Sequence, residues 1–170
     1  MRKYILLLLG LISFLGACTS DNGEGDENIL ENETGFSFEI SGAIEKTISG
    51  EQMFFLATSD EDIFGELLNT TSFSAVDPGD GQVTFGITTY DILGKGSYPI
   101  ELRVAPEAYN GFVNFVEDPG VTPVYTPLSG AIIIRSLSEN NISGTLDVIC
   151  REPLSSKQIT IKGSFSADRP

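Results

Sequence analysis

Alternation of apolar and polar residues is the dominant pattern of this chain from residue 35 onwards. In residues 83–87 every second side chain is apolar, and Thr84 and Gly86 lie between them. A period of two indicates antiparallel strands that have one buried face and one face in water. The same alternation recurs over residues 36–40, 100–104, 146–150 and 159–165.

Turn-forming residues separate these segments, for example at Ser41-Gly42, Pro119-Gly120 and Glu152-Pro153. Gly, Pro, Asn and Asp adopt or fix the backbone angles that tight turns require. About 8–10 strands at this spacing predict an all-β fold, an antiparallel β-sandwich of the immunoglobulin-like or jelly-roll-like kind. A closed barrel built from the same strands is the alternative.

Two segments depart from the regular alternation. The phase changes between Ile87 and Tyr90, which predicts a β-bulge or a strand that passes from one sheet to another. Residues 59–68 combine a capping sequence with apolar side chains at helical spacing, so they predict one short helical turn, although Gly65 weakens it.

The first 17 residues follow a different pattern. Arg2 and Lys3 precede an apolar run over residues 4–17, which is shorter than the roughly 18 residues needed to cross a bilayer. A basic start followed by a short apolar run and a small-residue exit is typical of a secretory signal peptide. The alternative, a short buried helix of the mature fold, is disfavoured by that combination.

The exit from the apolar run is Leu15-Gly16-Ala17-Cys18, which resembles the lipobox of bacterial lipoproteins. The resemblance implies that Leu15, Gly16 and Ala17 are recognised by the signal peptidase. It also implies that the Cys18 thiol carries a diacylglycerol and that its freed amine takes a further chain such as palmitate. Two or more chains anchor a protein stably, whereas one chain binds reversibly. A disulfide between Cys18 and Cys150 is the alternative.

Residues 18–34 separate the lipidation site from the alternating segments. They carry acidic residues from Asp21 to Glu33 and no Lys or Arg, so charge repulsion is expected to keep them extended. The expected organisation is a signal peptide (1–17), a lipidated cysteine with a flexible acidic tether (18–34) and an all-β domain (35–170). Acidic residues close behind the cysteine resemble the surface-export tethers of Bacteroidetes-type lipoproteins. Cell surface and periplasmic face of the outer membrane both stay open.

Charge and composition narrow the function classes. The chain has 170 residues, a formal net charge of −14 and only 10 Lys and Arg. Nucleic acid and anionic lipid headgroups are therefore disfavoured as direct partners, because both are bound by clustered cations. The chain has no His and no Trp. Without His, a Ser-His-Asp site is excluded and the commonest metal ligand is missing, so zinc is not expected.

The remaining candidates for chemistry are weak. Cys150 shares a face with Leu146 and Val148 and is expected to be a small buried hydrophobe rather than a nucleophile. Residues 60–65 begin like a calcium loop, but Thr71 stands where a bidentate Glu belongs. A carboxylate-based glycan hydrolase is the least favoured alternative, because no two acids stand apart from a solvated surface. We expect no enzyme activity, no metal and no cofactor.

One segment combines aromatic rings with amides. Its candidate ligand contacts, which suit a glycan or a peptide, are Tyr109, Asn110, Phe112, Asn114 and Tyr125. The simpler interpretation, which we favour, is a strand in which Tyr109, Val113 and Phe115 face the core while the asparagines face water.

As a whole, the chain resembles the small β-rich lipoproteins of Bacteroidetes-type bacteria that carry domains of unknown function. The resemblance rests on residues 15–18 and the acidic tether and, more loosely, on 141–146 and 159–165, where similar proteins have a closing meander. It implies a cell-envelope lipoprotein held to the outer membrane by the lipid on Cys18. The leading hypothesis is a non-catalytic binding module for an envelope protein or glycan; the alternative is a structural or assembly component without a small-molecule ligand.

Overall fold

Ten β-strands make up the fold, and no helix occurs in the part of the chain that the structure describes. The structure is a computed structural model that describes residues 34–61, 64–78, 81–100, 110–117 and 124–170. The all-β prediction and the predicted number of strands are confirmed. The strands are β1 (Gly35–Gly42), β2 (Lys46–Gly50), β3 (Phe54–Glu61), β4 (Leu67–Asp77), β5 (Gly81–Thr89), β6 (Gly96–Pro99), β7 (Asn110–Val116), β8 (Val124–Leu137), β9 (Asn141–Arg151) and β10 (Gln158–Asp168).

Hydrogen bonds run from strand to strand in a ring. Antiparallel pairs connect β3, β4, β5, β7, β8, β9 and β10 in that order. The ring closes where Phe54 of β3 lies beside Asp168 of β10, and there the Asp168 N–H donates to the Met53 carbonyl at 2.9 Å. β1 pairs with β10 and carries β2 on its other edge, while β6 pairs with β8. The result is the predicted antiparallel, sandwich-like fold.

Phenylalanine rings join the two layers of this fold. Phe73 of β4 stacks on Phe85 of β5 with ring centroids 4.9 Å apart. Phe165 of β10 packs against both rings, at 5.1 and 4.9 Å. Phe38 of β1 meets Phe85 edge-on at 5.9 Å. The β3–β4–β5–β7 layer therefore faces the β1–β10–β9–β8 layer across one core, and each buried ring contributes about 1.5–3 kcal/mol.

The inward alternation of β5 continues to its end. Val83, Phe85 and Ile87 are buried, and Thr89 occupies the next inward position with 2% exposure. The predicted change of phase after Ile87 is therefore wrong. A threonine is tolerated inside because its hydroxyl donates to the Asp91 carbonyl, so the buried polar group is satisfied.

The irregular strand is β8 instead. Its register against β9 shifts twice, and each shift adds one residue, Leu128 at the first and Arg135 at the second. Each extra residue exchanges the inward and outward positions. Tyr125, Ile132 and Leu137 consequently all point inwards, although their numbers differ in parity.

The described residues of the segment 59–68, which are 59–61 and 64–68, are not helical, contrary to the predicted helical turn. β3 continues to Glu61 and β4 begins at Leu67, where these two residues are paired. Gly65 has a φ of +82°, in the left-handed region that glycine adopts most readily. A glycine in this conformation suits a change of chain direction, consistent with the pairing of Glu61 and Leu67.

Candidate functional site

Several predicted site residues lie outside the described residues. They are the lipidation site Cys18, its recognition residues Leu15, Gly16 and Ala17, and the candidate ligand contact Tyr109. Cys18 lipidation therefore stays a prediction. Among the described residues, no helix is long and apolar enough to cross a membrane.

The other predicted ligand contacts divide between the core and the surface. Tyr125 is 2% exposed, and its ring lies 6.0 Å from that of Phe115 in the core. Burial, followed by the negative charges of Glu152 and Glu117, raises the pKa of the Tyr125 phenol. Tyr125 is therefore a core residue and not a surface contact.

Strand β7 has one buried side and one half-buried side. Val113 and Phe115 are fully buried, as the simpler interpretation of this segment predicted. Phe112 and Asn114 point to the opposite side of the strand and are half-buried there. The Asn110 backbone pairs with that of Thr88 in β5.

Phe112 lies across Gly86 of the neighbouring strand. The two residues are directly paired, and a Cβ atom built on Gly86 collides with the Phe112 ring and lies only 2.6 Å from the Thr71 carbonyl. The missing side chain of Gly86 thus leaves space for the ring against the sheet. The ring is held flat on the surface instead of projecting from it.

Phe112 and Asn114 belong to a larger surface, which we call the outer face. It is the side of β3, β4, β5 and β7 that points away from the core. Asp60 is its one charged residue among the described side chains of these strands. The outer face comprises Phe54, Leu56, Thr58, Asp60, Leu68, Thr70, Ser72, Ser74, Val76, Gln82, Thr84, Gly86, Thr88, Phe112, Asn114 and Val116.

Hydroxyl and amide groups on the outer face bond to one another within and between strands. The Gln82 side-chain amide donates to the hydroxyls of Ser74 at 3.0 Å and Thr84 at 3.2 Å. The hydroxyls of Thr70 and Thr88 lie 3.3 Å apart. These bonds orient the groups, and each hydroxyl oxygen has a second lone pair with which to accept a bond from a ligand.

Large apolar side chains stand among these polar groups. Phe54, Leu56 and Val76 are 51%, 61% and 49% exposed. Leu56 begins a row of paired residues that crosses Ser72 and Gly86 to Phe112. Because neighbouring strands are about 4.8 Å apart, this row is roughly 14 Å long. Exposed apolar groups clustered on a soluble protein mark binding surfaces.

A cleft of about 480 Å³ opens at one end of the fold, which we call the end cleft. Phe55 and Ile142, each 3% exposed, line its apolar inner part. The second bulge of β8 turns Leu137 into the cleft, and Leu93 lines it as well. The end cleft adjoins the outer face at residues 58 and 70, and its volume is within the range of small-molecule sites.

Polar groups of the end cleft fix its walls. The Ser59 hydroxyl donates to the Asn69 side-chain oxygen at 2.6 Å. The Asn69 side-chain nitrogen donates to the carbonyls of Tyr90 and Asp91, at 3.4 and 3.3 Å. These bonds tie the chain that follows β5 to β3 and β4. Ile92, the next residue, is 92% exposed and lines the cleft.

The Cys150 thiol is buried and free. Burial raises its pKa to about 12, so the thiol is protonated and unreactive at neutral pH. The prediction of a small buried hydrophobe is confirmed. The described residues contain no group of three or more acidic or cysteine side chains placed to hold a metal ion.

Comparison with known proteins finds no match: no family model, curated protein or solved structure is similar to this chain. The outer face and the end cleft are therefore defined by geometry alone. Sequence reasoning identified Phe112 and Asn114 but missed Phe54 and Leu56. The sequence feature that could have identified Phe54 and Leu56 is the apolar run at 53–57. This run breaks the alternation and places apolar residues on both sides of β3.

Proposed function

We propose that this protein is a lipid-anchored cell-envelope protein that binds an uncharged glycan on its outer face without catalysis. The observation that carries the glycan assignment is the composition of that face. Exposed apolar groups at Phe54 and Leu56 lie beside oriented hydroxyls and amides, with Asp60 as the one charge among its described side chains.

The chemistry of a neutral sugar matches this surface. Sugar rings combine apolar C–H faces, which pack on phenylalanine or leucine, with hydroxyls that exchange hydrogen bonds with Ser, Thr, Asn and Gln. Anionic polymers are disfavoured, because the chain has a formal net charge of −14 and like charges repel. The ligand class is therefore an uncharged polysaccharide.

The cellular location rests on the sequence of the N-terminal region. Leu15-Gly16-Ala17-Cys18 resembles a lipobox, and the acidic segment behind it suits a spacer between lipid and domain. A diacylglycerol on Cys18, with a further acyl chain such as palmitate, attaches the protein to the outer membrane.

A protein partner is the second candidate ligand. The 51% exposure of Phe54 and the 61% exposure of Leu56 favour it, because exposed apolar side chains are the usual anchors of protein interfaces. In that case the same residues bind a second protein chain of the envelope, and neutral polysaccharides have no effect. An assembly component without a small-molecule ligand would also bind a protein through these residues, and neutral polysaccharides would have no effect on it.

Affinity electrophoresis tests the glycan assignment. Migration of the full chain through native gels that contain dextran, mannan, xylan or a mixed-linkage β-glucan is compared with gels that contain polygalacturonate or no polymer. We expect at least one neutral polymer to retard the protein and Phe54→Ser to reduce that retardation.

Leu154→Ser is the matched control, since Leu154 is 97% exposed and lies outside the outer face. Normal migration in every neutral polymer would contradict the glycan assignment. So would an equal loss of retardation in Leu154→Ser and Phe54→Ser.

Cys18→Ser tests the anchor. We expect loss of palmitate labelling and loss of the protein from the membrane fraction, because serine offers no thiol for the diacylglycerol. Unchanged membrane attachment of Cys18→Ser would contradict the lipobox assignment. Protease treatment of intact cells then distinguishes the two orientations, since only a surface-displayed domain is removed.

A further inference from the structure

Arg169 lines the end cleft. Its guanidinium carbon lies 5.6 Å from the centre of the Phe55 ring, in cation–π geometry. Its backbone N–H donates to the Asn140 carbonyl at 2.9 Å. The stacked ring and the backbone bond hold Arg169 beside the cleft opening.

The Arg169 guanidinium has no carboxylate partner among the described residues. The nearest acid in sequence, Asp168, accepts a bond from the Asn141 side chain at 2.9 Å instead. A guanidinium carries five N–H donors in a planar fork, and that fork matches a carboxylate through two parallel bonds.

The residues around Arg169 indicate what kind of group is attached to the carboxylate of the ligand. Phe55, Ile142, Leu93 and Leu137 give the cleft an apolar interior. Arg169 is the one cation among the described lining residues, and Glu139 is the one acid. Burial of its CH₂ groups stabilises an apolar chain inside the cleft, and its charged end meets the guanidinium at the opening.

The geometry points to a second binding site, in which the end cleft takes a small amphiphilic carboxylate of the fatty-acid kind. Its carboxylate pairs with Arg169, and its hydrocarbon chain lies against Phe55 and Ile142. The volume of about 480 Å³ admits a chain of medium length. This site is additional to the glycan surface, because Arg169, Phe55 and Ile142 do not belong to the outer face.

Three eight-carbon probes test the charge requirement. Octanoate, octan-1-ol and octylammonium have the same chain and differ in the charge of the head group. Calorimetric titration of the full chain is expected to show octanoate binding at least about ten-fold more tightly than octan-1-ol, because only octanoate forms a charged hydrogen-bonded pair with Arg169. Octylammonium is expected to bind most weakly.

Substitution of the arginine tests its role directly. Arg169→Gln is expected to weaken octanoate about ten-fold or more and to change octan-1-ol by less than about two-fold. Arg151→Gln is the matched control, because Arg151 is an exposed arginine outside the cleft lining and its loss should leave both affinities unchanged.

Ile92 supplies a second variant that does not endanger the fold, since its side chain is 92% exposed. Ile92→Glu places a negative charge at the cleft opening and is expected to weaken octanoate more than Ile92→Gln does. Equal binding of octanoate and octan-1-ol would overturn the proposal, as would octanoate affinity that is unaffected by Arg169→Gln. Absence of any octanoate binding would overturn it too, and none of these results bears on the polysaccharide gels.

Discussion

The two sheet surfaces that face away from the core differ in charge. The solvent side of β1, β9 and β10, which we call the charged face, has a row in which Glu39 is paired with Lys162 and Lys162 with Asp147. The Lys162 amine lies 3.0 Å from the Asp147 carboxylate, and both side chains are about 60% exposed. On the outer face, Asp60 is the one charge among the described side chains.

This difference in charge indicates which of the two surfaces stays hydrated. Interspersed charges of both signs keep a face hydrated and discourage association. The outer face has the opposite character, because the free energy falls when a partner covers Phe54 and Leu56. The two faces share one core, so their difference reflects the outward residues alone. This difference supports the proposal that the ligand binds the outer face and not the charged face.

The largest expected effect comes from the core that joins both layers. Phe85→Ala removes the ring that contacts Phe38, Phe73 and Phe165 and should lower the free energy of unfolding by about 3–5 kcal/mol. Urea denaturation of the variant and the parent measures it, and we expect one cooperative transition. A loss below about 1 kcal/mol, or separate transitions for the two layers, would show that the faces do not share a core.

A smaller effect is expected where Phe112 covers the outer face. Gly86→Ala places a methyl group against the Phe112 ring and 2.6 Å from the Thr71 carbonyl, which should cost about 1–3 kcal/mol. Gly94→Ala is the control, because its nearest neighbour, the Tyr98 hydroxyl, is 3.9 Å away. Equal stability of the two variants by urea denaturation would mean that the ring does not need Gly86.

The inner side of the charged face contains a thiol whose ionisation depends on folding. Burial raises the pKa of Cys150 from 9.0 to about 12, so between these two pH values the unfolded chain binds fewer protons. The free energy of unfolding should therefore fall as the pH rises from about 9 towards 12 and should be insensitive to this group below pH 9. Urea denaturation across this pH range measures how steeply the free energy of unfolding falls with pH. The fall should be less steep in Cys150→Ala than in the parent. Equal slopes in both proteins would contradict the burial of the thiol.

The smallest effect is expected on the charged face itself. Asp147→Asn breaks an exposed ion pair with Lys162 and should change the free energy of unfolding by no more than about 1 kcal/mol. Urea denaturation in low and high salt measures the change, which salt should reduce further. A larger, salt-independent loss would mean that this pair holds the sheet together.

The buried half of the fold could be predicted from the sequence. Alternation alone identified Phe85 and Val148 as inward-facing, and both are fully buried. The bulges of β8 were missed, because the extra residues Leu128 and Arg135 are recognisable only against the register of β9. Thr89 produced a false change of phase, since its buried hydroxyl is satisfied by a bond that the sequence does not show.

The candidate sites were harder to predict, because they depend on which strands are neighbours. Leu56 and Phe112 lie in one row only because β4 and β5 stand between β3 and β7. Lys162 and Asp147 form a pair for the same reason. No sequence pattern predicted a site at Arg169, because its position over Phe55 follows from the bridge between β10 and β3.

The most direct test of the central claim is a pair of matched substitutions on the two faces. Leu56→Lys puts a charge on the outer face, and Ile149→Lys puts the same charge on the solvent side of β9, where Ile149 is 38% exposed. Retardation in a gel containing the retarding neutral polysaccharide is measured relative to a gel without polymer. We predict that Leu56→Lys abolishes the retardation and that Ile149→Lys retains it. Retention in Leu56→Lys, or an equal loss in both variants, would contradict the assignment of binding to the outer face.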